Sequence, residues 1–151
     1  MIREKQMSIK SLMTTELVTI DANDYLSSVR EIFELVTFHH ILVLEDEMLV
    51  GIISDRDYFK AVGPRLGTPI ETERDKMPLQ KRAHQIMNRR LVTVKNNATV
   101  LDVVSCFHKY KISCVPVIDE LNKPIGIISW RDVMSALCSQ MIKKQLHQEQ
   151  S

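Results

Sequence analysis

Two serines each stand three residues ahead of an aspartate, in Ser54-Asp55-Arg56-Asp57 and in Ser129-Trp130-Arg131-Asp132. A hydroxyl both donates and accepts, whereas an ionised carboxylate only accepts, at two oxygens. Two uses follow from this spacing. In the first, the serine caps a helix N-terminus and the aspartate, at the third helical position, reaches back to the serine amide. In the second, the carboxylate accepts hydrogen bonds from two adjacent hydroxyls of a bound molecule and the serine adds another. The two uses are compatible for the serine and compete for the aspartate oxygens. A helix N-terminus ordinarily draws phosphate. A carboxylate there favours hydroxyls at that spot and sends phosphate elsewhere. Arg56 and Arg131, beside the aspartates, are candidate phosphate partners, and so is the pair His39-His40. A metal reading of the histidines is poorer, because adjacent strand residues point to opposite faces and no third ligand lies at metal-site spacing.

These residues belong to a repeat. Gly51-Ile52-Ile53-Ser54-Asp55-Arg56-Asp57 and Gly126-Ile127-Ile128-Ser129-Trp130-Arg131-Asp132 differ only at the fifth position. Upstream, Met13–Ile20 pairs with Met87–Val94, and Ile41-Leu42-Val43-Leu44 with Val115-Pro116-Val117-Ile118, at a constant offset of 74 residues. The offset becomes 75 after the turn around Leu121-Asn122-Lys123. Two similar units of this size each form a marginal core and gain by packing together.

Each copy predicts the same elements. A short β-branched strand, Leu17–Ile20 or Leu91–Val94, comes first. A helix follows, with Leu26, Val29, Ile32, Phe33 and Val36, or Val100, Val103, Val104 and Phe107, on one face. Asp24 and Thr99 are the expected N-caps. A hairpin comes next, turned by Glu45-Asp46-Glu47 or by Glu120-Leu121-Asn122-Lys123. A second helix starts at Ser54 or Ser129. The pattern is βαββα, twice, an α/β fold of the α+β type. The expected organisation is repeat one over residues 8–63, a linker over 64–80, repeat two over 81–142 and a polar tail over 143–151. Gly63, Pro64, Gly67 and the charged run Glu71–Lys76 mark the linker. Val133, Met134, Leu137, Met141 and Ile142 form one side of the last helix, and Gln145–Ser151 is expected to fray. Met13 and Met87 read as core.

Composition narrows the function classes. The net charge of +1 makes no case for nucleic acid or an acidic membrane surface. No run approaches the ~18 apolar residues of a membrane span, and Met1–Gln6 lacks a signal-peptide core. Three cysteines at unpatterned spacings read as free thiols of a reducing compartment, so the cytoplasm is expected.

The order of motifs resembles the CBS domain, named for cystathionine β-synthase: Met-x-x-x-Leu-Val-Thr-hydrophobic at the start, Val-Pro-Val-Ile-Asp in the middle and Gly-Ile-Ile-Ser-x-Arg-Asp at the end. The resemblance covers residues 8 to 140. Two copies resemble a CBS pair packed with pseudo-twofold symmetry, and the chain is similar to stand-alone bacterial pairs, including the acetoin-utilisation B type. The resemblance implies a regulatory module sensing AMP, ADP, ATP or S-adenosylmethionine between the repeats, with no tightly bound cofactor. It also implies a homodimer and a regulated protein that the sequence does not identify.

On that reading Asp57 with Ser54, and Asp132 with Ser129, hold a ribose diol. Adenine lies against Val18, Thr19, Ile20, Ile41 and Leu42, and against Val92, Thr93, Val94, Val115 and Pro116, mostly through backbone groups, since these side chains also suit an ordinary core. His39-His40 matches the place where the gamma subunit of AMP-activated protein kinase carries a basic His-Arg that meets phosphate. Ser113-Cys114 stands there in repeat two, which puts an equivalent second phosphate site in doubt. Trp130, in the place of Asp55, covers a ligand or caps a hydrophobic edge. An enzyme would need a nucleophile with its base or a metal cluster, and neither pattern occurs. The competing reading is a structural dimerisation module with no physiological ligand.

Overall fold

The structure, a computed structural model, describes residues 7–149. The chain divides into two compact units. One is formed by Leu17–Leu91, the other by the residues up to Glu16 together with those from Val92 onward.

In the Leu17–Leu91 unit the order is β1 (Thr19–Asp21), α1 (Leu26–Leu35), β2 (His40–Glu45), β3 (Met48–Ser54) and α2 (Asp55–Val62). The sheet order is β1-β2-β3, with β1 parallel to β2 and β3 antiparallel to it. A parallel neighbour needs a crossover, and α1 supplies it. The β2–β3 hairpin turns through Asp46 and Glu47, both left-handed (φ 49° and 65°), the backbone of a two-residue type I′ turn, whose twist matches that of the strands. Ile20, Leu26, Val29, Ile41, Val43, Ile53, Tyr58 and Val62 form the core.

The other unit repeats this plan with β4 (Val94–Lys95), α4 (Val100–Tyr110), β5 (Cys114–Ile118), β6 (Pro124–Ser129) and α5 (Trp130–Glu149). Its sheet is β4-β5-β6 with the same parallel and antiparallel pairing. Val94, Val103, Val115, Val117 and Ile128 form its core, joined by Ile9.

The units and the sequence repeats are out of phase at their openings. The residues that open repeat two, including α3 (Ala83–Ile86), pack in the first unit, where Ala83 and Met87 join the core. Asn88 and Ile52 exchange backbone hydrogen bonds of 2.8 and 3.2 Å. In the other unit Thr14 and Ile127 do the same at 3.0 and 2.9 Å. Thr14 and Asn88 are equivalent positions, so each opening segment pairs with the last strand of the opposite repeat. Tyr25 and Arg82 reinforce the first case, the guanidinium lying 3.9 Å from the ring centroid.

Several elements differ from the sequence reading. The first strand of each copy is shorter and begins later, because only Thr19–Asp21 and Val94–Lys95 find partners along β2 and β5. Asp24 is not the cap of α1. Tyr25 holds that position without a side-chain bond, and the Asp24 carboxylate accepts the Asp21 amide instead. The run after Gly67 forms a 3-10 helix, Glu73–Gln80, and Leu66 and Leu79 pack on the core. Helix α5 continues to Glu149, so Gln145–Glu149 is helical, and Gln150 and Ser151 lie outside the described residues, as does Met1–Gln6.

Candidate functional site

The two serine–aspartate pairs have one geometry. Ser54 is the N-cap of α2; its amide and its hydroxyl both donate to Asp57 Oδ2, at 2.9 and 2.7 Å, and the Asp57 amide donates back to Ser54 Oγ at 3.1 Å. Ser129 donates to Asp132 Oδ2 from amide and hydroxyl at 2.7 and 2.9 Å, and the Asp132 amide returns a bond of 3.3 Å. The cap therefore uses Oδ2 alone. Among the described residues Oδ1 of Asp57 and of Asp132 receives no hydrogen bond, and both carboxylates are only half-buried. In this geometry one oxygen of each carboxylate holds the helix and the other is not used by the cap. A cap of this kind is not in itself diagnostic, since Thr99 with Asp102 and Thr72 with Asp75 form the same box in this chain.

Register places the remaining candidates of each unit at the same end of its sheet. His40 lies directly across β2–β3 from Ser54, and Cys114 directly across β5–β6 from Ser129. Thr19 pairs with Leu42, so the start of β1 reaches the start of β2. The Val18 carbonyl and the Ala22 amide bond to β2. Alternation along the strand therefore turns the backbone groups of Thr19 to the open sheet edge. Val94 pairs with Val117 as Ile20 pairs with Val43, and Thr93 takes the equivalent place. The side chains of Ile20, Ile41, Val94, Val115 and Pro116 are buried, leaving only their backbones for any partner.

The histidines differ from each other. His39 is more than half exposed, and its Nδ1 lies 2.9 Å from Asp55 Oδ2. The Asp55 amide also donates to the His39 carbonyl at 3.0 Å. Burial opposes ionisation of Asp55, but the His39 ring and the Arg56 amide outweigh it and hold the carboxyl below its usual range. His40 is more enclosed, and burial pushes its ring toward the neutral form, against the attraction of Asp55. Burial thus disfavours a charged His40 ring, and His39 is the more exposed of the two. Asp55 is the residue the sequence reading passed over. Its signal was present, as the one mismatch in a seven-residue repeat. In the second unit Trp130 stands there, half exposed, with the Arg131 guanidinium 5.7 Å from its ring centroid. Cys114 replaces His40, and burial pushes its thiol pKa up to about 12, so it stays neutral. Among the described residues no three His, Cys, Asp or Glu side chains are grouped to hold a metal ion.

The CBS domain family matches residues 9–64 and again 83–139. A CBS domain-containing protein of Dictyostelium discoideum is 28% identical over 131 residues, covering 85% of this chain and 90% of that one. Two solved structures share the fold. One is the CBS domain pair of protein MJ0100, crystallised with 5′-methylthioadenosine and S-adenosyl-L-methionine, at TM-score 0.73 and 23% identity over 89% of this chain and 98% of that one. The other is the Vibrio cholerae protein named for acetoin utilization (AcuB), at TM-score 0.72 and 20% identity over 97% and 98%. Two βαββα copies in one register, each ending in the same serine–aspartate box, and a family match over both halves make this chain a member of the CBS domain family, carrying a pair of the domains.

Proposed function

We propose that this chain is a regulatory module that senses an adenosine-containing ligand, AMP, ADP, ATP or S-adenosylmethionine, and that it acts without catalysis. The observation that carries the reading is the open Oδ1 of Asp57 and of Asp132, each beside a serine hydroxyl and on the same end of the sheet as an unpaired strand edge. A carboxylate oxygen held in place by its partner oxygen is suited to a ribose diol. An outward-facing amide and carbonyl at Thr19 or Thr93 suit the edge of a purine. The relative solved with 5′-methylthioadenosine and S-adenosyl-L-methionine supports the same class. His39, His40, Arg56 and Arg131 are the proposed groups near the 5′ substituent.

We place the module in the cytoplasm, as three free cysteines suit a reducing compartment; among the described residues no helix is long and apolar enough to cross a membrane. It works as a homodimer on an effector protein. Thermal unfolding with each of the four compounds tests the reading. Ligand at 100 times its dissociation constant adds about 2.7 kcal/mol of apparent stability.

One observation favours the alternative of a ligand-free dimerisation module. Helix α5 has no buried residue, and Met134, Leu137, Met141, Ile142 and Leu146 are each about half exposed. A dimer that forms while none of the four compounds shifts the melting curve would select that alternative.

A further inference from the structure

Resting on the adenosine reading above, we propose that the two sites are sorted by charge through the residue that follows each capping serine. The second-repeat site, with Trp130 there, takes a 5′-phosphorylated adenosine. The first-repeat site, with Asp55 there, takes an adenosine whose 5′ substituent carries no negative charge.

The two sites share their serine, arginine and ribose aspartate, so the difference is confined to a few groups. The first turn of α2 carries two carboxylates, Asp55 and Asp57, whereas the first turn of α5 carries only Asp132. Asp55 also occupies a donor that an anion could use, since its Oδ1 accepts the Arg56 amide at 2.7 Å. Trp130 has no acceptor to offer Arg131 in the same way, because an indole only donates. Arg131 rests beside the indole, whereas in the first site Asp55 Oδ2 lies 2.9 Å from His39 Nδ1. The cross-strand neighbours differ as well: neutral Cys114 faces Ser129, and His40 faces Ser54. Asp55 therefore places a carboxylate near the first site that the second lacks. A like charge ~7 Å away in a water-like dielectric lowers affinity about threefold.

The test is calorimetric titration with AMP and with adenosine at neutral pH, first on wild type and then on Asp57→Ala and Asp132→Ala, which leave one site each. The second-repeat site, left by Asp57→Ala, should prefer AMP over adenosine by about threefold or more, and the first-repeat site should not. On the Asp132→Ala background, Asp55→Asn should raise AMP affinity about threefold and leave adenosine unchanged. His39→Ala, which leaves Asp55 ionised without its partner, should lower AMP affinity. Opposite responses to two neighbouring substitutions separate charge from local loosening. The sorting is overturned if both sites give one AMP-to-adenosine ratio, or if Asp55→Asn leaves that ratio unmoved. Binding of neither AMP nor adenosine to wild type would overturn the sorting, and binding of none of the four compounds named above would remove the adenosine reading itself.

Discussion

The Met87 side chain occupies the space that a side chain on Gly51 would need. A Cβ built on Gly51 would lie 2.7 Å from Met87 Cγ and 3.0 Å from its Cβ. Met13 stands over Gly126 in the same manner, with Cγ at 3.0 Å. Each methionine comes from the opening segment of one repeat and each glycine from the last strand of the other. The repeated glycine is therefore a seat for the strap that crosses it.

This predicts a coupled pair. Gly51→Ala forces the methionine root aside and should cost about 1–3 kcal/mol, as overpacking does. Met87→Ala empties a buried site and should cost about 2–5 kcal/mol. The double variant should be more stable than the sum of the two, because the alanine methyl enters the space the methionine leaves. Urea unfolding of the three variants decides it; additive losses would mean that the two residues do not share this space.

The same contact shows where sequence reading stops. Both capping boxes were legible, since serine and aspartate three residues apart meet on one helical turn whatever surrounds them. The hairpins were legible from their turn residues and from the fixed offset of the copies. The phase of the opening segments was not, because Met13 and Met87 have the same local pattern whichever strand they cross. Asp24 was misread as a cap for a related reason: a carboxylate one residue early also closes the preceding turn, and local spacing does not choose between the two. The pairing of His39 with Asp55 depends on how β2 and β3 come together, so only the mismatch with Trp130 hinted at it.

The open carboxylate oxygens give the second prediction. Asp57→Ala and Asp132→Ala should each weaken adenosine-ligand binding by roughly 1.5–3 kcal/mol, one to two decades in affinity. Asparagine is the sharper probe. Its single oxygen can serve the helix cap or the ligand but not both, so Asp57→Asn should keep much of the fold stability and lose most of the binding. Asp102→Ala is the control, since it removes a box of the same geometry away from the site: it should lower the melting temperature and leave affinity unchanged. Equal affinity in wild type and in all three site variants would reduce these carboxylates to helix caps.

The exposed stripe on α5 gives the third. Leu137→Lys combined with Met141→Lys places two charges on a face that is half exposed in the single chain. If a second copy covers that face, light scattering at micromolar concentration should fall from twice 17.4 kDa in wild type to one chain in the variant. A wild-type mass of one chain would defeat the prediction outright.

Thiol chemistry offers the fourth. Cys138 is exposed on α5, Cys106 is half-buried, and Cys114 is buried with its pKa pushed up to about 12. The thiolate is the reactive form, so alkylation of the native protein at pH 8 should mark Cys138 and spare Cys114. Peptide mass mapping reads the order. Early labelling of Cys114 would mean that the β5–β6 end opens readily, which the packing of β5 argues against.

The last prediction concerns acid stability. Burial lowers the pKa of His40 in the folded chain from the ordinary 6.5, so the unfolded chain binds a proton on this ring more readily than the folded one. Stability then rises with pH across the interval between the two values. Its contribution is complete above the unfolded value and is lost progressively as pH falls below about 6.5 toward the folded one. Asp55 acts in a separate window. Its folded pKa lies below the ordinary 3.8, so its contribution is present above that value and disappears only in stronger acid. Urea midpoints measured at pH 7.5 and pH 5.5 should fall with acidification in wild type and change less in His40→Asn. A His40→Asn variant with the full wild-type acid response would assign that response to another group.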